Sequence, residues 1–161
     1  MVLAFGLDHI IIWRDRPTDL SATRYLDNTS AARGKPSIVV EAGYAGIVEA
    51  DDVAVLVDGT FSIMRALKML SGDPRPVENP VWLDSVVDVL SDGPGIWYPL
   101  VKRGTYVQVG MKIGFVTDYF GKVILEARAP ISGVILHINA VPSLKKGDNI
   151  VDIGTVAARA P

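Results

Sequence analysis

Cysteine is absent from this chain of 161 residues, and histidine occurs only twice, as His9 and His137. No disulfide, thiolate metal site or cysteine nucleophile is therefore available. Charge of one sign is lacking too. Sixteen basic and 18 acidic residues leave a formal net charge of −2. Interspersed and nearly balanced, they make neither nucleic acid nor an anionic membrane an expected partner. No apolar run is long enough to span a bilayer. The N-terminal stretch "MVLAFGLDHIIIWRDRP" has no basic region ahead of its apolar start and no small-residue cleavage site, so a cytoplasmic location is expected. G-x-S-x-G, H-E-x-x-H, P-loop and dinucleotide fingerprints are all missing.

What is present is apolar substance. Hydrophobic residues make up 49% of the chain, enough for a packed core at this length. The first seventy residues read as alternating strand and helix. "HIIIW" (9–13) is a continuous apolar run, as in a strand buried on both faces. Pro17, Thr18 and Asp19 predict the start of a helix running to about Arg33, stopped by Gly34 and Pro36. "SIVV" (37–40) predicts a second buried strand, parallel to the first in a βαβ unit. A longer helix is expected from Asp51 and Asp52, acids suited to the positive end of its dipole, to Ser71–Gly72. Val53, Leu56, Val57, Thr60, Met64 and Leu67 follow the spacing of a buried stripe. Gly59 costs about 1 kcal/mol there relative to alanine, which implies a close neighbour needing the space.

Proline-rich "GDPRPVENP" (72–80) reads as a boundary, so residues 1–72 are expected as one unit and 73–92 as a linker, with "VWLDSVVDVL" a short helix or irregular stretch. Residues 93–161 form the third part. Their grammar is short strands and glycine turns, with strands expected at 96–101, 112–117, 122–127, 133–138 and 149–153. "KRGTYV" (102–107) and "KKGDNI" (145–150) echo each other, suggesting a small quasi-symmetric β-sandwich or flattened barrel. Trp82, Trp97 and Tyr98 read as packing residues. Lys122 near a hairpin lacks the flanking residues of a lipoyl- or biotin-carrying lysine.

"KPSIVVEAGYAG" (35–46) ends a strand-prone run on Glu41. Ligands of open parallel sheets bind beyond the carboxyl ends of the strands. Arg14 and Arg16 are expected at that same rim. A glutamate there can take a proton from water, and an arginine can hold a substrate carboxylate in two hydrogen bonds. A structural ion pair between Glu41 and an arginine fits the spacing equally.

"GKPSIVVEAGYAG", followed by a helix with an acidic start, resembles the zinc-dependent aspartoacylase/succinylglutamate desuccinylase family, relatives of the zinc carboxypeptidases. "AFGLDHIIIW", "LSATRYLDNTSAARGKPSI" and "FSIMRALKML" fit the family's order of elements. Residues 97–154 resemble its C-terminal barrel-sandwich, lipoyl-like domain. The resemblance implies an α/β fold: a partial zinc-carboxypeptidase-like unit (a parallel βαβ plus helix), then the small all-β domain. It also implies that Glu41 is the catalytic glutamate that activates zinc-bound water. Tyr44, Arg14 and Arg16 are further candidates for contact with substrate, an N-acyl amino acid or similar small amide.

The family's metal ligands, an H-x-x-E pair and a later histidine, have no counterpart here: position 12, three residues after His9, is Ile12. The resemblance therefore implies the C-terminal part of a deacylase. Zinc belongs to the complete enzyme, with no cofactor and no activity expected of this chain alone. The expected partner is a second copy or the missing N-terminal half. The alternative is a non-catalytic binding or oligomerisation module that keeps this half of the fold.

Overall fold

The computed structural model of the chain describes residues 1–14 and 18–160. Two units, Met1–Val81 and Trp82 onward, each make most of their contacts internally.

In the first unit, helix α1 (Val2–Phe5) leads into strand β1 (His9–Ile11). The helix expected over 17–33 is broken into a 3-10 turn at Leu20–Ala22 and helix α2 (Leu26–Ala32), with Pro17 outside the described residues. Side-chain oxygens explain the break. Asp19 accepts hydrogen bonds from the backbone N–H and the hydroxyl of Ser21, and the Thr23 hydroxyl donates to the Leu20 carbonyl. These local bonds compete with a helical ladder. The stop at Gly34 is as expected: at φ 69° it lets Gly34 and Lys35 donate back to the carbonyls of Ala31 and Ser30.

Helix α3 (Ala50–Ala66) begins with Asp51 and Asp52 in its first turn, but ends before the expected Ser71–Gly72. The same cap closes it. Lys68, at φ 61°, takes the left-handed position, and Lys68 and Met69 donate to the carbonyls of Arg65 and Met64. Gly59 has the close neighbour its presence implied, since a Cβ there would lie 2.5 Å from Phe5 Cζ. The expected buried stripe is not buried. Gly59 and Ser62 are the buried residues of α3, whereas Val53, Leu56, Val57 and Leu67 are exposed.

The expected parallel βαβ pair is also corrected. "SIVV" (37–40) is not a strand, and among the described residues its backbone enters no backbone hydrogen bond. A strand exists only within a ladder, and no described segment pairs with this one through its backbone.

The second unit carries the closed core. The segment expected to be helical or irregular is strand β2 (Val81–Leu90), followed by β3 (Gly95–Pro99), β4 (Tyr106–Val107), β5 (Lys112–Thr117), β6 (Val123–Arg128), β7 (Gly133–Ile138), β8 (Ser143–Leu144) and β9 (Asn149–Val156). In β2 the valines recur at too short a spacing for one helical stripe, and pairing with β9 decides the conformation. One sheet places β2, β9, β7 and β4 side by side, and the other runs β6-β5-β3-β8. Trp97, Ile113, Val116, Ile135, Leu144, Ile150 and Ile153 form the centre of the core. Tyr98 stacks on Phe115, its partner across β3 and β5, with ring centroids 5.0 Å apart.

The sequence echo becomes a repeated turn. Gly104 (φ 77°) and Gly147 (φ 86°) occupy equivalent positions. In one turn the Lys102 N–H donates to Thr105 Oγ1, and in the other the Lys145 N–H donates to Asp148 Oδ2. Each turn is then clamped by two backbone bonds. Gly104 donates to Ile135, which donates back to Thr105; Gly147 donates to Ser91, which donates back to Asp148.

Candidate functional site

Glu41 belongs to a segment with the alternation of a strand but without a ladder. Ile38 and Val40 line a cavity of about 350 Å³ with Phe5, Leu56, Ile63 and Met64. Val39 and Glu41, the residues between and beyond them, are exposed, Val39 to 66%. This period of two sends Ile38 and Val40 toward α3 and leaves Val39 and Glu41 at the open side. The Ser37 hydroxyl anchors the start of the segment by donating to the Asp27 carbonyl at 3.0 Å. Gly43 (φ 104°) turns the chain after Glu41, and Tyr44 and Ile47 close a one-bridge turn around Ala45, itself at φ 55°.

Asp52, expected only to complement the dipole of α3, also lies behind this turn. Its Oδ2 would be 3.8 Å from a Cβ on Gly43, and the atom is buried with no hydrogen-bond partner among the described residues. The helix-start pattern gives no hint of that proximity.

Of the other candidates, Arg14 is exposed three residues after β1, and Tyr44 is partly exposed in its turn. Arg16 lies outside the described residues. No ion pair joins Glu41 to an arginine among the described residues.

A zinc site needs three or four nitrogen, oxygen or sulfur donors converging on one point. Among the described residues no group of three His, Cys, Asp or Glu side chains meets that need. His9 Nδ1 lies 2.8 Å from Asp8 Oδ1, and His137 Nδ1 lies 3.7 Å from Asp152 Oδ2. The two contacts lie in different parts of the chain, and the described residues do not make a zinc site by themselves. Among the same residues, no helix is long and apolar enough to cross a membrane.

No protein-family model matches the sequence, and no curated protein does. Solved structures do match. The ectoine utilization protein EutE (DoeB) from Ruegeria pomeroyi is 19% identical with a TM-score of 0.81, covering 95% of this chain and 47% of its own. A succinylglutamate desuccinylase from Silicibacter sp. TM1040 is 22% identical with a TM-score of 0.79, covering 96% and 47%. A succinylglutamate desuccinylase/aspartoacylase from Rhodobacter sphaeroides is 18% identical with a TM-score of 0.80, covering 96% and 48%. The chain thus spans about half the length of the solved structures it matches. Its fold is that of half a succinylglutamate desuccinylase/aspartoacylase-type protein.

Proposed function

We propose that this chain is the base-bearing half of a zinc-dependent deacylase that acts on N-acyl amino acids or related small amides, and that it is inactive alone. The observation that carries the reading is the setting of Glu41, in a fold matching half of desuccinylase-type structures. Its segment is seated on α3 through Ile38 and Val40, which leaves the carboxylate at the open side. A carboxylate held there can accept a proton from an attacking water and return it to a departing amine, provided that both come within hydrogen-bond reach. The α/β half would be completed by residues this chain does not carry, including the ligands for zinc, which supplies Lewis acidity when bound. Arg14, Arg16 and Tyr44 are proposed substrate contacts. The barrel-sandwich description of the second unit fits its two sheets and repeated turn. A cytoplasmic setting is part of the same proposal.

The test is a chimera joining this chain to the half of the Rhodobacter sphaeroides protein that it does not match. The expected result is stoichiometric zinc and hydrolysis of N-acyl amino acids, with Glu41→Gln lowering kcat by about 10²–10⁴-fold while zinc is retained. Hydrolysis unaffected by Glu41→Gln overturns the role of Glu41. A zinc-loaded chimera without hydrolysis favours the binding-module alternative.

A further inference from the structure

The first unit leaves two kinds of surface open at once. One is a strand edge: Ile38 and Val40 are half-buried with Val39 exposed between them, as in a strand, yet the N–H and C=O groups of 37–40 enter no backbone hydrogen bond among the described residues. The other is a ridge on α3. Val53, Val57 and Phe61 recur at the four-residue spacing that fits a groove of another helix, and each is more than 40% exposed. The opposite side of α3 is already occupied by α1 at Gly59, and a third side faces the cavity under Ile38 and Val40. A helix with apolar residues on all sides is composed for the interior of a larger body. Open strand edges and large apolar patches are the usual marks of an interaction site.

We propose that this surface is the docking site for a polypeptide carrying the other half of the deacylase-type fold, which adds a strand beside Ser37–Val40 and covers the Val53–Val57–Phe61 ridge. This rests on the functional reading above. The comparison of lengths argues for that occupant: 95% of this chain superposes on 47% of a structure with a TM-score of 0.81, so a comparable length of chain has no counterpart here. An occupant must supply both a strand and a helix-packing surface, which an α/β half-fold does. A two-fold contact pairing this edge with that of a second copy would still leave that length of chain without a counterpart.

Hydrogen exchange read by mass spectrometry tests the proposal on the chain alone, over a range of concentrations, and on the chimera described above. Exchange of β5, β7 and β9 in the second unit reports in every sample that the chain is folded. In the chimera, amides of 37–42 are expected to slow by about two orders of magnitude relative to the chain alone. The unmatched half co-expressed as a separate polypeptide is expected to give a one-to-one complex. Val57→Glu should weaken that complex by about tenfold or more, whereas Tyr119→Ser in the second unit should not change it. Unchanged exchange at 37–42 in the folded chimera overturns the proposal. So does protection that appears on concentrating the chain alone, because a second copy is then the occupant. Protection without hydrolysis overturns the deacylase reading and leaves docking intact; hydrolysis without protection does the reverse.

Discussion

Single residues in the second unit are held by contacts that leave no spare volume. A Cβ on Gly114 would lie 2.1 Å from Trp97 Cη2, and Trp97 is 2% exposed in the middle of the core. The indole belongs to the same buried cluster as Ile113 and Ile135 and has little room to retreat, so Gly114→Ala should destabilise the unit by about 1–3 kcal/mol, measured by denaturant unfolding. Glu126 is the other informative residue. Lys112 Nζ and Arg128 both donate to its carboxylate, and those bonds, the Lys112 bond foremost, hold its pKa below the ordinary 4.5. A lowered carboxylate pKa stabilises the fold above the ordinary value, and the stabilisation is lost as pH falls through the folded value. Glu126→Gln should therefore lower Tm at neutral pH. The gap between parent and variant should close below pH 4.5. A gap that persists at low pH would assign the loss to packing instead of charge.

At the scale of elements, the chain was legible where local chemistry decides and obscure where partners decide. Strands 112–117 and 133–138 form where the grammar of short strands and glycine turns predicted them. Gly34 stops α2 because only the left-handed cap matters there. The end of α3 was misplaced because Lys68, a residue with no turn preference, takes the position that glycine usually fills. That conformation costs a residue bearing a Cβ about 1 kcal/mol, so Lys68→Gly should raise unfolding stability by a similar amount. A decrease would mean that the lysine side chain contributes to the cap. The two-residue strands β4 and β8 carry too short a pattern to be seen in advance. "SIVV" had the right composition for a strand and failed as one for want of a backbone pairing partner among the described residues, a fact no local pattern holds. Glu41 ends that run exposed, but the paired strand end expected to hold it did not form. The buried Asp52 oxygen behind Gly43 was not legible, because it depends on how α3 returns beneath the turn.

At the scale of the whole molecule, the two units differ in how much core they own. Of the buried hydrophobic residues among the described ones, Phe5 and Ile10 lie in the first unit and all the others in the second. Stability follows buried apolar area, so the first unit should open locally far more often. Limited digestion with a broad-specificity protease should cut first within residues 35–48, which lie outside every helix and strand, and leave a persistent fragment starting near Trp82. Mass spectrometry of the time course checks this. Early cuts within β5, β7 or β9 would show that the second unit does not stand on its own core.

The repeated turn has a consequence for how the second unit closes. The turn at Gly104 is clamped to Ile135, and the turn at Gly147 to Ser91. With 91–128 and 133–156 taken as two pieces, the turn of each is thus fastened by a residue of the other, like two hands each gripping the opposite wrist. Neither grip exists until both pieces are present, so the clamps join residues far apart in sequence and form late, at the entropic cost of a long loop. A polypeptide with only one such piece would meet the same requirement only by gripping a twin. What this chain accomplishes within a single backbone is, in its geometry, a handshake between two partners who happen to be covalently attached.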